Sequence, residues 1–240
     1  MEQSGTSALL QGAVQDLSSD VVCALRGGDH VGLPGSGSPD GPEGSLALAA
    51  VRVLGADLLL PHVLTRTPPA PETLEAFRRT VAAFPPRDDA APTVMWSHWA
   101  MSRTLRGLDP TAPSAPMNET DPEPDTRWLD GATWQVLTHQ LAVLAPLAVP
   151  GEDRVVAGAV ARAAQSRPAD VARGFVRAVR RRDWQQAAGA GRWLTLLDGV
   201  PDTLGLESGL DFVELMGGSD PRVALQVEAA RAMRWAGALV

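Results

Sequence analysis

Residues 168–198 read PADVARGFVRAVRRRDWQQAAGAGRWLTLLD, and this stretch predicts two consecutive helices. Apolar residues recur here every three or four positions, which is the spacing of one face of a helix. The polar run RRRD separates the two segments. We predict the helices over residues 168–181 and 184–198. The same pattern continues on both sides of the pair, with further helices predicted over residues 127–148, 153–165, 203–215 and 221–238.

Capping signals mark the ends of these helices. Asp220 followed by Pro221 is typical of a helix N-terminus, because the Asp side chain accepts hydrogen bonds from the first turn and Pro is tolerated there. Gly199, Gly217 and Gly218 lie where helices are expected to end. Alternating β-branched residues, which would indicate strands, are scarce. The sequence therefore predicts an all-α fold.

The N-terminal half combines helices with long Pro- and Gly-rich loops. Two of these loops are the Gly/Pro/Ser-rich residues 30–44 and the Pro-rich acidic residues 107–126. We expect an N-terminal helix within residues 1–29, a linker over 30–44 and an all-helical core over 45–240. The helices predicted in this half cover residues 7–26, 45–60, 71–84 and 93–106.

The arrangement of the helices has two open alternatives, a multi-helix bundle and a short stack that resembles helical repeats. A repeat protein would show the same motif at a fixed period. The helix pair of residues 168–198 does not recur convincingly in residues 203–238.

Missing residue types exclude several enzyme classes. The 240-residue chain has a net charge of −7, and all of its 21 basic residues are Arg. Without Lys, the chain has no Schiff-base nucleophile, Walker lysine or kinase ATP-anchoring lysine. Tyr is absent too, which excludes Tyr-Lys reductases. The absence of Lys, Ile and Tyr, whose codons are AT-rich, indicates a bacterial genome of high GC content.

Charge and cysteine content predict a cytoplasmic protein. Cys23 is the single cysteine and cannot form an internal disulfide. The first residues show no signal-type apolar run, and Arg52 and Asp57 interrupt one of the longest apolar stretches. We therefore expect no membrane segment. The acidic net charge also argues against nucleic-acid binding, which needs a basic surface.

No motif indicates a metal or a cofactor. The four His residues stand singly, without an HExxH motif or a Cys-x-x-Cys pair. The acidic run at residues 121–125 lacks the Gly and the Glu of an EF-hand loop. The glycines of residues 35–41 follow no predicted strand, as a dinucleotide-binding loop would require. We predict neither a metal site nor a cofactor.

Two polar residues are predicted to be buried on apolar helix faces. In the helix over 93–106, His98 shares a stripe with Val94, Met101 and Leu105. Asp130 lies close to the apolar stripe of the helix over 127–148. A buried imidazole and carboxylate are a common acid/base pair, so both are candidate catalytic residues. Hydrogen-bonded core residues would give the same pattern.

Tryptophans are concentrated beside the long acidic loop. Trp96, Trp99 and Trp134 are candidate substrate-binding residues, because Trp-bearing helices line cavities for hydrophobic or cationic ligands. They could equally fill the core of a chain that is rich in Ala.

A basic edge follows the helix over 168–181. Arg173, Arg177 and Arg180 lie three or four residues apart and hence on one face. They are candidate residues for binding an acidic protein partner. As cations near a helix C-terminus they would also stabilise the helix dipole.

Two functions follow from these patterns. The first is a small-molecule enzyme without a redox cofactor, working by acid/base chemistry through His98 and Asp130 as a lyase, cyclase or hydrolase of bacterial specialised metabolism. The second is a non-catalytic helical adaptor or accessory subunit that binds an acidic protein through its Arg-rich half. The sequence leaves open whether the chain forms a homodimer.

Overall fold

The computed structural model describes residues 2–28, 41–109, 122–150 and 158–238. Throughout these ranges the regular structure is helical, and they contain no strand, so the predicted all-α fold is confirmed. Within these ranges, three 3₁₀ helices connect the α-helices, at Gly55–Leu59, Ala145–Leu147 and Asp202–Leu204. The α-helices are α1 (Glu2–Leu25), α2 (Pro42–Leu54), α3 (Leu60–Thr65), α4 (Pro71–Ala83), α5 (Pro92–Leu108), α6 (Arg127–Asp130), α7 (Trp134–Val143), α8 (Ala159–Gln165), α9 (Pro168–Arg180), α10 (Trp184–Leu194), α11 (Leu206–Gly217) and α12 (Pro221–Ala238).

Four helices that begin with a proline follow their prediction closely. α4, α5, α9 and α12 each begin at a Pro, where the missing N–H costs no intrahelical hydrogen bond. Most of the two predicted long loops, residues 29–40 and 110–121, lies outside the described residues.

The single helix predicted over residues 45–60 is wrong. α2 ends at Leu54, because Gly55 has a φ of +64° and a ψ of −141°, a conformation that side-chain-bearing residues avoid. The chain continues as the 3₁₀ helix Gly55–Leu59. Pro61 lies inside the first turn of α3 and does not end a helix. This bend carries Asp57 into the interior, where its side chain is buried.

The single helix predicted over residues 127–148 is also wrong. α6 ends at Asp130, and a new helix begins at Trp134 after the turn of residues 131–133. Thr133 caps α7, since its hydroxyl oxygen accepts a hydrogen bond from the Val136 N–H at 3.4 Å. The apolar stripe of α7 therefore does not continue back to Asp130.

α10 lies at the centre of the C-terminal half, where α7, α9, α11 and α12 all pack against it. Its buried residues include the small run Ala187, Ala188, Gly189, Ala190 and Gly191. A Cβ atom at Gly189 would lie 2.8 Å from the Ala142 carbonyl oxygen. The absence of side-chain bulk thus lets the α10 and α7 backbones come close together.

A second apolar cluster occupies the N-terminal half. α1 packs against α2 and α12, and residues such as Leu17, Phe77 and Met101 are fully buried there. α12 contributes Leu225 to this cluster and Val227 to the cluster around α10. α12 therefore joins the two halves. Cys23 on α1 is exposed.

One stretch of the described chain is long and apolar enough to cross a membrane. It is Gly44–Thr65, with a mean hydropathy of 1.6, and 56% of its most apolar window is buried inside the protein. Buried core helices of soluble proteins have the same length and composition. The cytoplasmic location stays a prediction.

A buried ion pair links the two halves. Arg192 of α10 donates a hydrogen bond to Asp57 at 2.7 Å, and their side chains are 0% and 2% exposed. The same guanidinium donates to the Gln226 side chain of α12 at 2.8 Å and to the Ala148 carbonyl at 3.1 Å. The Gln226 amide in turn donates to Asp57 at 2.7 Å. One charged group thus holds three separate parts of the chain together.

Removing one member of this pair is expected to destabilise the fold strongly. In R192L, Asp57 stays buried without its cation, which costs about 3–5 kcal/mol of unfolding free energy. The double variant R192L/D57L should recover most of this loss, because no buried charge is left. The matched control is R127L, since Arg127 pairs with Asp125 on the surface and should cost less than about 1 kcal/mol. Urea unfolding measures all three, and equal losses in R192L and R127L would contradict the buried pair.

A larger ionic network joins α1, α11 and α12. Glu228 accepts hydrogen bonds from Arg26 and Arg231, both at 2.8 Å, and Glu214 binds the same two arginines. Burial raises the pKa of the Glu228 carboxyl, but the two guanidinium groups outweigh it and hold the pKa below its ordinary value of 4.5. The ionised form of Glu228 therefore stabilises the folded state.

The contribution of Glu228 should depend on pH. Because its pKa is lower in the folded state, this contribution is present above pH 4.5 and is lost as the pH falls below it. We expect E228Q to be less stable than the unmodified chain at pH 7, with the difference shrinking between pH 4.5 and more acidic pH. Thermal unfolding across this range measures the effect. The control D211N removes an exposed partner of Arg231 and should change stability by less than about 1 kcal/mol. A difference that does not vary with pH would contradict the lowered pKa.

Candidate functional site

The structure separates the two candidate catalytic residues. His98 is half-buried on α5, and Asp130 is exposed at the end of α6. The predicted burial of Asp130 is wrong, because the turn after α6 breaks the helix that would have carried it into the core. Neither residue lines either of the two clefts described below. The catalytic roles of both stay predictions.

α5 is buried on two sides, which changes its predicted apolar stripe. Met101 belongs to the N-terminal cluster, whereas Trp96 and Trp99 belong to the cluster around α10. Val94, predicted on the buried stripe with His98, is exposed. A helix that packs against two cores has no single apolar face, and for this reason the stripe derived from periodicity is wrong.

The two α5 tryptophans form one aromatic unit. Their ring centroids are 5.1 Å apart with an interplanar angle of 70°, which is an edge-to-face contact. Trp96 has no exposed surface, whereas Trp99 borders a cleft. Trp96 therefore supports the cleft wall from behind, and Trp99 is the indole within reach of a ligand.

A short segment of the acidic loop, residues 122–126, covers this unit. Trp96 and Trp128 both donate their indole N–H to the Asp125 carbonyl oxygen, at 3.2 and 2.9 Å. Glu123 accepts a hydrogen bond from the Ala159 N–H at 2.9 Å, which ties the segment to α8. Residues 122–126 thus lie against α5, while residues 110–121 of the predicted acidic loop lie outside the described part of the chain.

The cleft beside Trp99, here called the Trp99 cleft, has a volume of about 690 Å³. It lies between the C-terminal half of α5, residues 56–68 and residues 146–150. Its lining is mostly apolar and includes Ala56, Leu60, Val63, Ala100, Leu147 and Val149.

Arg103 is the central charge of the Trp99 cleft. Its guanidinium lies 5.2 Å from the centre of the Trp99 ring, within the range of a cation–π contact. Burial lowers the pKa of this guanidinium, although Glu123 acts in the opposite direction. Among the described residues no carboxylate forms an ion pair with Arg103. The acidic group in the lining, Asp109, accepts a hydrogen bond from Arg78 at 2.7 Å.

A second cleft, here called the Arg groove, has a volume of about 550 Å³. The candidate partner-binding residues Arg173, Arg177 and Arg180 of α9 all line it, together with Trp134 of α7. The guanidinium carbons of Arg173 and Arg177 lie 5.5 and 5.4 Å from the centre of the Trp134 ring. Trp134, predicted to share a cavity with Trp96 and Trp99, thus belongs to a different site.

Two residues that line the Trp99 cleft, Arg103 and Arg66, were not among the predicted site residues. A signal for Arg103 was present, because it follows Trp99 by four residues and so lies on the same face of one helix. No local signal indicated Arg66, which reaches the cleft through the turn after α3. The described residues contain no cluster of His, Cys, Asp or Glu that could hold a metal ion.

Comparisons with known proteins identified no relative of this chain. No family model, curated protein or solved structure matches it. Function is therefore inferred from the chemistry of the Trp99 cleft and the Arg groove.

The buried position of Trp96 predicts a structural role. W96F removes the hydrogen bond to the Asp125 carbonyl and leaves a cavity, and we expect it to lower the unfolding free energy by about 1–3 kcal/mol. The matched control is W235F, because Trp235 is 75% exposed and its replacement should change stability by less than about 0.5 kcal/mol. Denaturant unfolding compares the two variants. A W96F protein as stable as W235F would contradict the buried position.

Proposed function

We propose that this chain binds a small molecule with a largely apolar body and one negatively charged group in the Trp99 cleft. The observation that carries the proposal is Arg103, a partly buried cation that lies over the Trp99 ring and forms no direct ion pair with a carboxylate among the described residues, although Glu123 attracts it from a longer distance. This is the small-molecule function predicted from the sequence, with a different set of contact residues.

The size and lining of the cleft support an apolar ligand body. Small-molecule sites commonly have volumes of roughly 300–1,000 Å³ and mostly apolar walls with a few polar groups that set orientation. The Trp99 cleft, at about 690 Å³, is within this range. Its aliphatic and proline side chains would remove an apolar body from water, and Arg103 would orient the charged end.

The charge of the cleft favours an anion over the cation that the tryptophans suggested. Arg103 already lies over the Trp99 ring, so a ligand cation would meet a like charge there. A carboxylate or sulfonate would instead pair with a guanidinium that burial has partly stripped of water. Arg is well suited to this role because its planar fork matches the two oxygens of such a group.

The proposal covers binding and does not include catalysis. The titratable residues of the lining are Arg66, Arg103 and Asp109, and Asp109 is held by Arg78. Acid/base catalysis by His98 and Asp130 stays a prediction from the sequence alone. The cytoplasmic location and the place in bacterial specialised metabolism belong to the proposal on the same basis.

The test uses 1-naphthoate as an apolar anion and 1-naphthamide as its neutral analogue. By titration calorimetry, the unmodified chain should bind naphthoate more tightly, and R103Q should weaken naphthoate binding about tenfold, the usual value of one charge-assisted hydrogen bond. The matched control is R87Q, because Arg87 is 91% exposed and lies outside the cleft. Binding that is absent in the unmodified chain, or equal in R103Q and R87Q, would contradict the proposal.

A second variant fills the cleft without disturbing the fold. A Cβ atom at Gly107, which lines the Trp99 cleft on α5, meets no heavy atom within 4 Å. G107L should therefore fold normally, gain about 0.5–1 kcal/mol of stability from better helix propensity, and lose naphthoate binding. Normal naphthoate affinity in a folded G107L protein would place the ligand elsewhere.

A further inference from the structure

The arginines of the Arg groove differ from most arginines of the C-terminal half. Arg167, Arg192, Arg222 and Arg231 each form an ion pair with a carboxylate. For Arg173, Arg177 and Arg180 no carboxylate partner exists among the described residues, and the groove lining contains no acidic side chain. Three uncompensated cations thus share one face of a chain whose net charge is −7.

Contacts within the Arg groove restrict the positions of its cationic side chains. Trp134 holds two of the guanidinium groups by cation–π contacts, which limits their freedom before any partner arrives. Apolar side chains also line the groove, among them Val176, Pro201 and Leu204. Such a surface offers both ion pairs and apolar contact to an occupant.

The cations of the Arg groove are spaced more closely than the alternate side chains of an extended peptide. On a helix, Arg173 and Arg177 are separated by about 6 Å along the axis, and Arg177 and Arg180 by about 4.5 Å. In an extended strand, side chains on the same face lie roughly 7 Å apart. Two carboxylates at alternate positions of a strand laid along α9 would therefore meet Arg173 and Arg177 within about 1 Å, and the long side chain of Arg180 would have to reach about 3.5 Å along the axis to meet a third.

We propose that the Arg groove docks an extended segment of a partner protein in which acidic residues alternate with apolar ones. The site is separate from the Trp99 cleft and does not depend on the ligand proposed there. A nucleic acid would also offer regularly spaced anions, but the net charge of −7 repels a polyanion at long range, whereas a short peptide carries few charges. A short acidic peptide is therefore compatible both with the cations of the Arg groove and with the negative net charge of the chain.

The experiment measures anisotropy of a fluorescein-labelled heptapeptide that alternates glutamate and leucine. The matched variants are R177Q and R181Q, which remove the same charge four residues apart. Arg177 lines the groove, and Arg181 is exposed outside it. We expect R177Q to weaken binding about tenfold and R181Q to change it less than about twofold, because only Arg177 contacts the peptide.

The contribution of the Trp134 indole to peptide binding is tested with a second pair of variants. W134L keeps apolar bulk but removes the ring face that holds Arg173 and Arg177, and it should weaken binding about threefold or more. W235L changes an exposed tryptophan outside the groove and should leave binding unchanged. Circular dichroism verifies that all four variants are folded.

Three results would overturn the proposal. The first is the absence of saturable peptide binding at concentrations up to about 1 mM. The second is equal weakening by R177Q and R181Q, which would show a general charge effect. The third is a labelled single-stranded oligonucleotide that binds more tightly than the peptide and loses its binding in R177Q, which would make the groove a nucleic-acid site.

Discussion

The ion pair between Arg192 and Asp57 is the constraint on which the rest of the structure depends. A charge without exposed surface is tolerated only when its partners are held in place. The partners of Arg192 are Asp57 in the 3₁₀ helix Gly55–Leu59, Gln226 in α12 and the carbonyl of Ala148. Each of these elements therefore has one allowed position relative to α10. The pair is also connected to the lining of the Trp99 cleft, because Ala56 is next to Asp57 in sequence, and Leu147 and Val149 flank Ala148. The ion pair between Arg192 and Asp57 thus constrains both the lining of the Trp99 cleft and the junction of the two halves.

Helix boundaries were predictable where the signal was local. α4, α5, α9 and α12 begin at prolines, whose effect on the backbone does not depend on the rest of the fold. The breaks after Leu54 and Asp130 were missed because apolar periodicity continues through both of them. Gly55, the pair Asp130–Gly131 and Thr133 were local signals for these breaks, and the backbone geometry at Gly55 and the capping contact of Thr133 show that the helices end there.

The same distinction separates the predictable and unpredictable parts of the candidate sites. That Arg173, Arg177 and Arg180 share a face follows from their spacing on one helix. Their contact with Trp134 requires α7 to pack against α9, which no local pattern encodes. Asp57 is the clearest case. In sequence it interrupts an apolar run, and the residue that makes its burial possible is 135 positions away.

The Asp125 carbonyl oxygen, which accepts the indole N–H of both Trp96 and Trp128, has a consequence for motion. If residues 122–126 moved away from α5, the buried Trp96 indole would lose its acceptor, whereas the local hydrogen bond from Trp128 to Asp125 can move with the segment. Breaking the Trp96 contact alone gains little, because the hydrogen bond from the Ala159 N–H to Glu123 still holds the segment against α8. Detachment of this segment is therefore cooperative, and it behaves as a small unit of local unfolding with its own free energy.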